Sequence, residues 1–336
     1  MKLQTNYPLI GHVRSAKHFA TPDSVILKCL IFAIIFLVTQ TLEGIPLVAA
    51  AMPALLSKAQ VMMETNGEVS SEEMMQQINV LLADPSLTLV MLYSTALCTL
   101  AVLFYCRVIQ RRKLSTMGFF KKHALLQYLA GLLAGFAMFS LIVLLSVLFG
   151  GVTWNGYVGV SAGVLLPMCG GWLLQGMSEE VLCRGYFMTD VLRHKNVVWA
   201  VALNSVFFGL LHAFNNGFSV PAMVNLTLYA VMISLYVLRT NSLWGACALH
   251  SIWNAVQGNF YGLPVSGIDA GGTVFSCSLN DGHALINGGR FGLEAGLPCT
   301  IVLLLSIALL LLGPGSAVKA PAGTDTPDAP SAGEAA

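Results

Sequence analysis

The sequence predicts an all-α membrane protein, a bundle of about eight transmembrane helices. Of its 336 residues, 56% are hydrophobic and only 10% are charged, whereas soluble proteins carry roughly 25% charged residues. The mean hydropathy of +0.74 is far above what a soluble domain needs for its core. Long uncharged runs alternate with short charged connections, which is the pattern expected when lipid surrounds most of the protein surface.

The first predicted span is Val25 to Leu42, after a polar N-terminal segment of residues 1–24. Its apolar stretch is longer and farther from the N-terminus than that of a signal peptide, so we expect no cleavage. The next apolar run, Gly44 to Ser57, is too short to span alone at about 1.5 Å per residue. It either continues the first helix or lies at the interface, and we do not count it as crossing. The other predicted spans are Ser86 to Cys106, Ala124 to Phe149, Val158 to Met177, Val197 to His212, Phe218 to Leu238, Ser242 to Gln257 and Pro298 to Gly313.

The charges of the connections predict the orientation of the bundle. The connection from Glu43 to Asp84 holds six acidic residues and one lysine, whereas Arg107 to Lys122 holds six basic residues and no acid. Because basic connections stay inside, both termini are predicted to be cytoplasmic. Arg193, Lys195 and Arg239 agree with this orientation. The basic connections and the compact chain favour a multi-pass protein of a bacterial plasma membrane.

Other segments limit the possible functions less sharply. The glycine-rich connection from Gly258 to Leu297 lies outside under this topology, and its sequence indicates no role. The tail, residues 314–336, is predicted to be disordered because its composition buries little apolar area. A net charge of +1 without a basic face gives no support for nucleic-acid binding. The eight cysteines fit no metal spacing, although a disulfide between Cys277 and Cys299 stays open.

The clearest departure from the apolar pattern is the segment Ser178 to Gly185, which continues directly from an uncharged span. Ionisable residues in a membrane usually face an interior cavity and mark a functional site. Glu180 and Arg184 are four residues apart, with the acid on the N-terminal side, which favours an ion pair. Glu179 then has no local cation and is available as a general base. The alternative is that both glutamates merely lie at the membrane surface.

Two histidines and an asparagine also fall in predicted spans. His212 ends one span, while His250 and Asn254 share a helix face in another. A single histidine in an apolar span is more often a packing element than a catalyst. Here, however, a rise of about 1.5 Å per residue places Glu179, His212 and His250 in one layer near mid-membrane. A carboxylate, two imidazoles and a carboxamide in one chamber suffice to activate water and to stabilise an oxyanion. The set therefore predicts hydrolytic chemistry.

These residues resemble the signature of a known family, the CAAX prenyl endopeptidase type II family, also called the CPBP or ABI family of intramembrane proteases. The resemblance covers about residues 124–257, and more loosely extends to 313. Cys183 departs from the family pattern, which commonly has an aromatic or large apolar residue before the arginine. The three motifs, in chain order, are Glu179-Glu180-x-x-x-Arg184, Phe208-x-x-x-His212 and His250-x-x-x-Asn254.

The resemblance implies an intramembrane endopeptidase that hydrolyses peptide bonds of membrane-associated proteins or peptides, with CAAX-box protein processing as the family activity. It implies that Glu179 activates the attacking water and that His212 holds and polarises it. His250 and Asn254 would form the oxyanion site, while the supporting pair Glu180 and Arg184 would keep the helix in place. The chain then divides into a cytoplasmic segment (1–24), two first spans (25–123), a CAAX protease-like domain (124–313) and the tail (314–336).

Alternatives to this mechanism and function stay open from the sequence. Members of the family have often been catalogued as metalloproteases, in which case Glu179, His212 and His250 would be the zinc ligands. Since no His-Glu-x-x-His motif exists, we expect a metal-independent glutamic mechanism without a cofactor. The rival functions are a proton-coupled transporter and a non-catalytic bacteriocin-immunity or scaffold protein. The expected partners are a membrane-anchored substrate and the lipid bilayer, and the oligomeric state is open.

Overall fold

A computed structural model describes residues 7–66 and 84–313, together with 71 and 74. The described chain is mostly helical, and the predicted disordered tail, 314–336, lies outside it. The helices are α1 (Pro8–Arg14), α2 (Val25–Asn66), α3 (Pro85–Ser94), α4 (Ala96–Phe104), α5 (Ala124–Leu148), α6 (Ala162–Glu180), α7 (Thr189–Leu192), α8 (Val197–Leu211), α9 (Val220–Thr240), α10 (Leu243–Ala255), α11 (Ala284–Asn287) and α12 (Leu297–Leu312). Single π-helical segments follow α4, α6 and α10, namely Tyr105–Ile109, Val181–Met188 and Val256–Phe260. Short 3-10 turns are Leu114–Met117, Gly289–Phe291 and Leu293–Ala295.

Within the described residues, four helical segments are long and apolar enough to cross a membrane, and two shorter apolar helices, α8 and α12, accompany them. The chain is therefore a membrane protein, as its composition predicts. The predicted count of about eight spans is not confirmed, because the motif-bearing helices α6 and α10 are not among these apolar segments. The four long segments are Val25–Glu64, Pro85–Ile109, Ala124–Leu148 and Val220–Thr240.

Helix α2 corrects the prediction for the connection after the first span. The apolar run Gly44 to Ser57 continues the first helix without a break, and Pro46 and Pro53 lie inside it. Glu43, which the sequence analysis counts with the acidic outer connection, is therefore a mid-helix residue. Helix α2 packs mainly against α3 and α4, so this acid faces the bundle from a helix outside the predicted protease domain.

A two-stranded antiparallel sheet was not predicted from the sequence. Strand β1 (Val152–Tyr157) follows α5, and strand β2 (Phe275–Leu279) lies in the long connection before α12. The pairing runs from Val152 opposite Leu279 to Tyr157 opposite Phe275, with an irregularity between Trp154 and Gly156. The all-α prediction is correct for the helical bundle, but it omits this sheet. Both Cys277 and Cys299 are free thiols, so they do not form the disulfide that the sequence left open.

Helix α10 is the centre of the bundle, because α5 and α6 both pack along it. Gly131 and Gly135 on α5, in small-xxx-small spacing, allow a close helix contact of the kind found in membranes. A Cβ atom at Gly131 would lie 2.1 Å from the Gly245 carbonyl oxygen, and one at Gly135 would lie 2.5 Å from that of Leu249. Any larger residue at either position would push α5 away from α10.

The N-terminal segment is joined to the bundle by a buried polar network. Lys28 is fully buried and donates to Asp190 Oδ2 at 3.1 Å and to Thr21 Oγ1 at 2.7 Å. Gln110 Nε2 donates to the other Asp190 oxygen at 2.6 Å. Because isolated charges in an apolar environment are costly, this ion pair is what allows a lysine near the start of α2 to lie inside the protein.

Backbone contacts extend this network across the same end of the bundle. Arg193 donates to the carbonyl oxygens of Val13 (2.7 Å) and Ala16 (3.0 Å). The Ala20 N–H donates to the Gln110 carbonyl oxygen at 2.9 Å. The N-terminal segment, the basic connection after the π-helical segment Tyr105–Ile109 and the connection after α7 therefore meet at one end.

Candidate active site

Glu180 and Arg184 form the ion pair expected from their spacing. Arg184 Nη1 donates to Glu180 Oε1 at 2.9 Å, and both side chains are fully buried. The guanidinium also lies over the Phe208 ring, 4.3 Å from its centroid, which is a cation–π contact. The pair therefore joins the end of α6 to α8 and removes one negative charge from the site.

The helix widens into a π-helical segment immediately after Glu180. Such segments change the register of side chains and are frequent at functional sites. Arg112 Nη2 donates to the Gly185 carbonyl oxygen at 2.5 Å and to Thr189 Oγ1 at 3.0 Å. The segment Val181–Met188 is thereby attached to the basic connection near the N-terminal segment.

His250, on α10, is held by the second carboxylate of the motif. Its Nδ1 lies 2.9 Å from Glu180 Oε1, and the residue is 4% exposed. Nδ1 must carry a proton to donate to a carboxylate, which leaves Nε2 directed at the site. That Nε2 lies 3.8 Å from Glu179 Oε2. Glu180 thus has a role that its spacing alone did not predict, since one of its oxygens binds both Arg184 and His250.

His212 caps the C-terminal end of α8, next to the Glu179 carboxylate. Its Nδ1 donates to the Phe208 carbonyl oxygen at 2.8 Å, and its Nε2 lies 3.9 Å from Glu179 Oε2. The two Nε2 atoms therefore approach the same carboxylate oxygen from two helices. Glu179 Oε2 has no hydrogen-bond partner among the described residues. The three helices bring together the groups that the depth argument placed in one layer.

Asn254 reaches the site through a residue that sequence reasoning missed, Gln175. Asn254 Nδ2 donates to Gln175 Oε1 at 2.7 Å, and Gln175 Nε2 donates to Glu179 Oε1 at 2.5 Å. The signal was present, because Gln175 is a polar residue in an apolar run and lies four residues before Glu179. Because a carboxamide carries no charge, a pattern of charged residues in apolar spans does not single out Gln175.

Glu43 is a second carboxylate that the sequence analysis assigned elsewhere. It accepts from Gln40 Nε2 at 3.1 Å. It also shares a hydrogen bond with the Cys98 thiol on α4 and lies within electrostatic range of Glu179. Its place in a connection, inferred from charge alone, was wrong, because the apolar residues that follow it continue the helix. The site therefore borders α2 as well as the helices that carry the motifs.

The alternative metal-dependent mechanism predicts that Glu179, His212 and His250 bind zinc. Among the residues that the structure describes, no group of three His, Cys, Asp or Glu side chains is arranged to hold a metal ion. Glu179 Oε2 lies 3.8 and 3.9 Å from the two imidazole nitrogens. Since two ligands that are each about 2.0–2.2 Å from one zinc ion lie at a similar separation from each other, these distances do not distinguish a zinc site from a metal-free one.

A comparison with known families agrees with the geometry. The family model of the type II CAAX prenyl endopeptidase, described as Rce1-like, matches residues 161–256. The resemblance predicted from the motifs is confirmed over this segment. All seven motif side chains lie inside the matched segment, and α2 and α5 lie outside it. No curated protein and no solved structure matches the chain.

Proposed function

We propose that this protein is an intramembrane endopeptidase that hydrolyses peptide bonds of membrane-associated proteins or peptides through a water activated by Glu179. The observation that supports it most is the placement of one free carboxylate oxygen between two imidazoles. Glu179 Oε2 faces His212 Nε2 and His250 Nε2 at 3.9 and 3.8 Å. These separations are too long for direct hydrogen bonds and suit a base whose proton partner is a water.

In the first step, the Glu179 carboxylate accepts a proton from the attacking water. His212 Nε2 carries a lone pair, because Nδ1 donates to the Phe208 carbonyl, and it accepts the other hydrogen of that water. The oxygen can then attack the scissile carbonyl carbon from a fixed position. A positioned general base of this kind contributes about 10²–10⁴-fold to a rate.

In the second step, the oxyanion is stabilised and the leaving amine is protonated. His250 Nε2 donates in the imidazolium form, which the contact of Nδ1 with Glu180 favours. Asn254 has a further N–H beyond the one given to Gln175, and it is the second donor. Glu179 returns its proton to the amine as the C–N bond breaks. Fixed donors for the oxyanion are worth about 10²–10³-fold each.

The proposed location is a bacterial plasma membrane, with both termini in the cytoplasm. Basic residues favour the cytoplasmic side, and the N-terminal segment packs against the connections that hold Gln110 and Arg193. CAAX-box processing is the activity suggested by the family. Prenylated substrates are not expected in bacteria, so we propose the ends of other membrane proteins or membrane-anchored peptides as targets.

The function is tested with purified full-length protein in liposomes, incubated with a library of membrane-anchored peptides. Products are identified by mass spectrometry with and without a strong chelator. We expect cleavage in both conditions, and none by the Glu179→Gln variant. Loss of activity with the chelator and recovery with added zinc would overturn the glutamic mechanism. No cleavage combined with a proton flux that depends on Glu179 would support a transporter instead.

A further inference from the structure

The side chain of Gln175 connects two residues of the proposed site. We infer that Gln175 is a positioning residue, which fixes the Glu179 carboxylate so that one defined oxygen, Oε2, accepts the proton of the attacking water. This inference rests on the proposed function. It adds a residue that lies outside the three sequence motifs.

The two hydrogen bonds of Gln175 form a chain that runs from Asn254 to Glu179. Asn254 Nδ2 donates to Gln175 Oε1 at 2.7 Å, and Gln175 Nε2 donates to Glu179 Oε1 at 2.5 Å. The bond to the carboxylate is charge-assisted, and such bonds are shorter and roughly twice as strong as neutral ones. Asn254 is 4% exposed, so its own position is set by α10, and it holds the carboxamide of Gln175 in the orientation that presents N–H to Glu179.

The backbone next to Gln175 explains why the contact can form across two helices. Gly176 faces α10, where a Cβ atom would lie 2.6 Å from both the N and Oγ atoms of Ser251. Ser251 Oγ in turn donates to the Leu173 carbonyl oxygen at 3.3 Å. Helices α6 and α10 are therefore in close contact one residue away from Gln175, and the distance that its side chain must bridge is fixed.

Binding of Oε1 divides the two oxygens of Glu179 into two roles. Oε1 is held by Gln175, and Oε2 has no hydrogen-bond partner in the described protein and faces both imidazoles. Without Gln175, the carboxylate could rotate about its last side-chain bond, and neither oxygen would be held in place facing the imidazoles. A displacement of about 1 Å in a reacting group can cost about 10²-fold in rate. Gln175 is thus expected to act on the catalytic step rather than on substrate binding.

The test compares two glutamine-to-methionine variants. Gln175→Met keeps the length of the side chain and removes both hydrogen bonds. The matched control is Gln127→Met, since Gln127 is also half-buried and makes one interhelical hydrogen bond, to the Thr240 carbonyl oxygen at 3.1 Å. A third variant, Gln175→Glu, keeps an acceptor for Asn254 but has no N–H for Glu179. Each is assayed in liposomes with the library peptide that the unmodified protein cleaves fastest.

We expect Gln175→Met to lower kcat about 10²-fold with KM changed less than about threefold, because the base is misplaced while no contact with the substrate is removed. Gln175→Glu should lose at least as much, and Gln127→Met should cleave like the unmodified protein. Thermal denaturation in detergent should give similar Tm values for the two methionine variants. An unchanged kcat in Gln175→Met, an active Gln175→Glu, or a kcat loss that follows a loss of Tm would overturn the inference.

A spectroscopic measurement keeps this test separate from that of the proposed function. The infrared carboxylate band of Glu179 is obtained as the difference between the unmodified protein and Glu179→Gln. In Gln175→Met this band should shift, because Oε1 loses its N–H donor, and in Gln127→Met it should not. If no peptide is cleaved, the proposed function fails, and the band still decides whether Gln175 holds Glu179. A band that does not move would refute the positioning role.

Discussion

The two adjacent glutamates of the motif should respond differently to the same substitution. Glu180 is fully buried, and its Oε1 accepts from Arg184 Nη1 and from His250 Nδ1, both at 2.9 Å. The Glu179 side chain is 27% exposed and has one hydrogen bond, from Gln175. Glu180→Gln therefore leaves a buried guanidinium without its counter-ion, whereas Glu179→Gln removes a base and keeps the shape and the acceptor of the side chain.

The magnitudes follow from these contacts. Breaking a buried ion pair by removing one charge costs about 3–5 kcal/mol, a large part of a total stability of about 5–15 kcal/mol. Glu179→Gln replaces a charge-assisted hydrogen bond by a neutral one, which changes the free energy of unfolding by about 1 kcal/mol. Its effect on cleavage should be a loss of about 10²–10⁴-fold, the usual contribution of a general base.

The assay measures thermal denaturation and peptide cleavage on the same detergent preparations. We expect a normal Tm with no cleavage for Glu179→Gln, and a lowered Tm and folded yield for Glu180→Gln. The double variant Glu180→Leu with Arg184→Met should recover part of the lost stability, because apolar residues can replace a buried pair. It should not recover cleavage, since His250 stays without its carboxylate. Equal losses of Tm and of cleavage in both single variants would refute this division between base and support.

Three further predictions concern other parts of the molecule. His212→Gln should lower cleavage about 10²–10⁴-fold. The Tm should change little, because the side chain lies at a helix end and is 12% exposed. Full activity in this variant would contradict the role of His212. Asp190→Asn should destabilise the protein by about 3–5 kcal/mol, since it leaves Lys28 buried without a counter-ion. Lys28→Met combined with Asp190→Leu should restore part of the lost Tm. An Asp190→Asn variant as stable as the unmodified protein would contradict this. Burial raises the pKa of the Cys277 thiol to about 11. In a variant with Cys277 as its only cysteine, the rate of maleimide labelling should rise about tenfold per pH unit from pH 7 to 9, because the thiolate is the reactive form. A rate that reaches a plateau below pH 9 would show an ordinary thiol.

The site was predictable where residue type and helical spacing decide the contact. Glu180 and Arg184 are four residues apart, and they pair as that spacing predicts. His212 and His250 come from separate helices, and their predicted depth placed them in one layer with Glu179, where their Nε2 atoms lie 3.9 and 3.8 Å from its Oε2. These positions depend on the rise of a helix, which varies little. The roles of these side chains in catalysis stay predictions.

What the sequence did not predict depends on contacts between distant segments. Gln175 is an ordinary polar residue until Asn254 and Glu179 are known to lie beside it. Strand β2 pairs with residues about 120 positions earlier in the chain, and no local pattern in a glycine-rich connection identifies such a partner. Glu43 was assigned to a loop because it is charged, although the apolar residues after it continue the helix.

The buried pair of Lys28 and Asp190 has a consequence for how the protein is made. The two residues are 162 positions apart, and at roughly 5–20 residues per second the ribosome needs on the order of ten seconds or more to reach Asp190. During that interval the first helix has already left the ribosome with an unneutralised lysine near one end. A lone lysine in lipid is costly, so we expect this helix to keep that end at the membrane surface until the helix carrying Asp190 arrives. His212 and His250 follow Asp190 in the chain, so the helices that carry them are made after this pair can form, and the side chains around Glu179 come together only then.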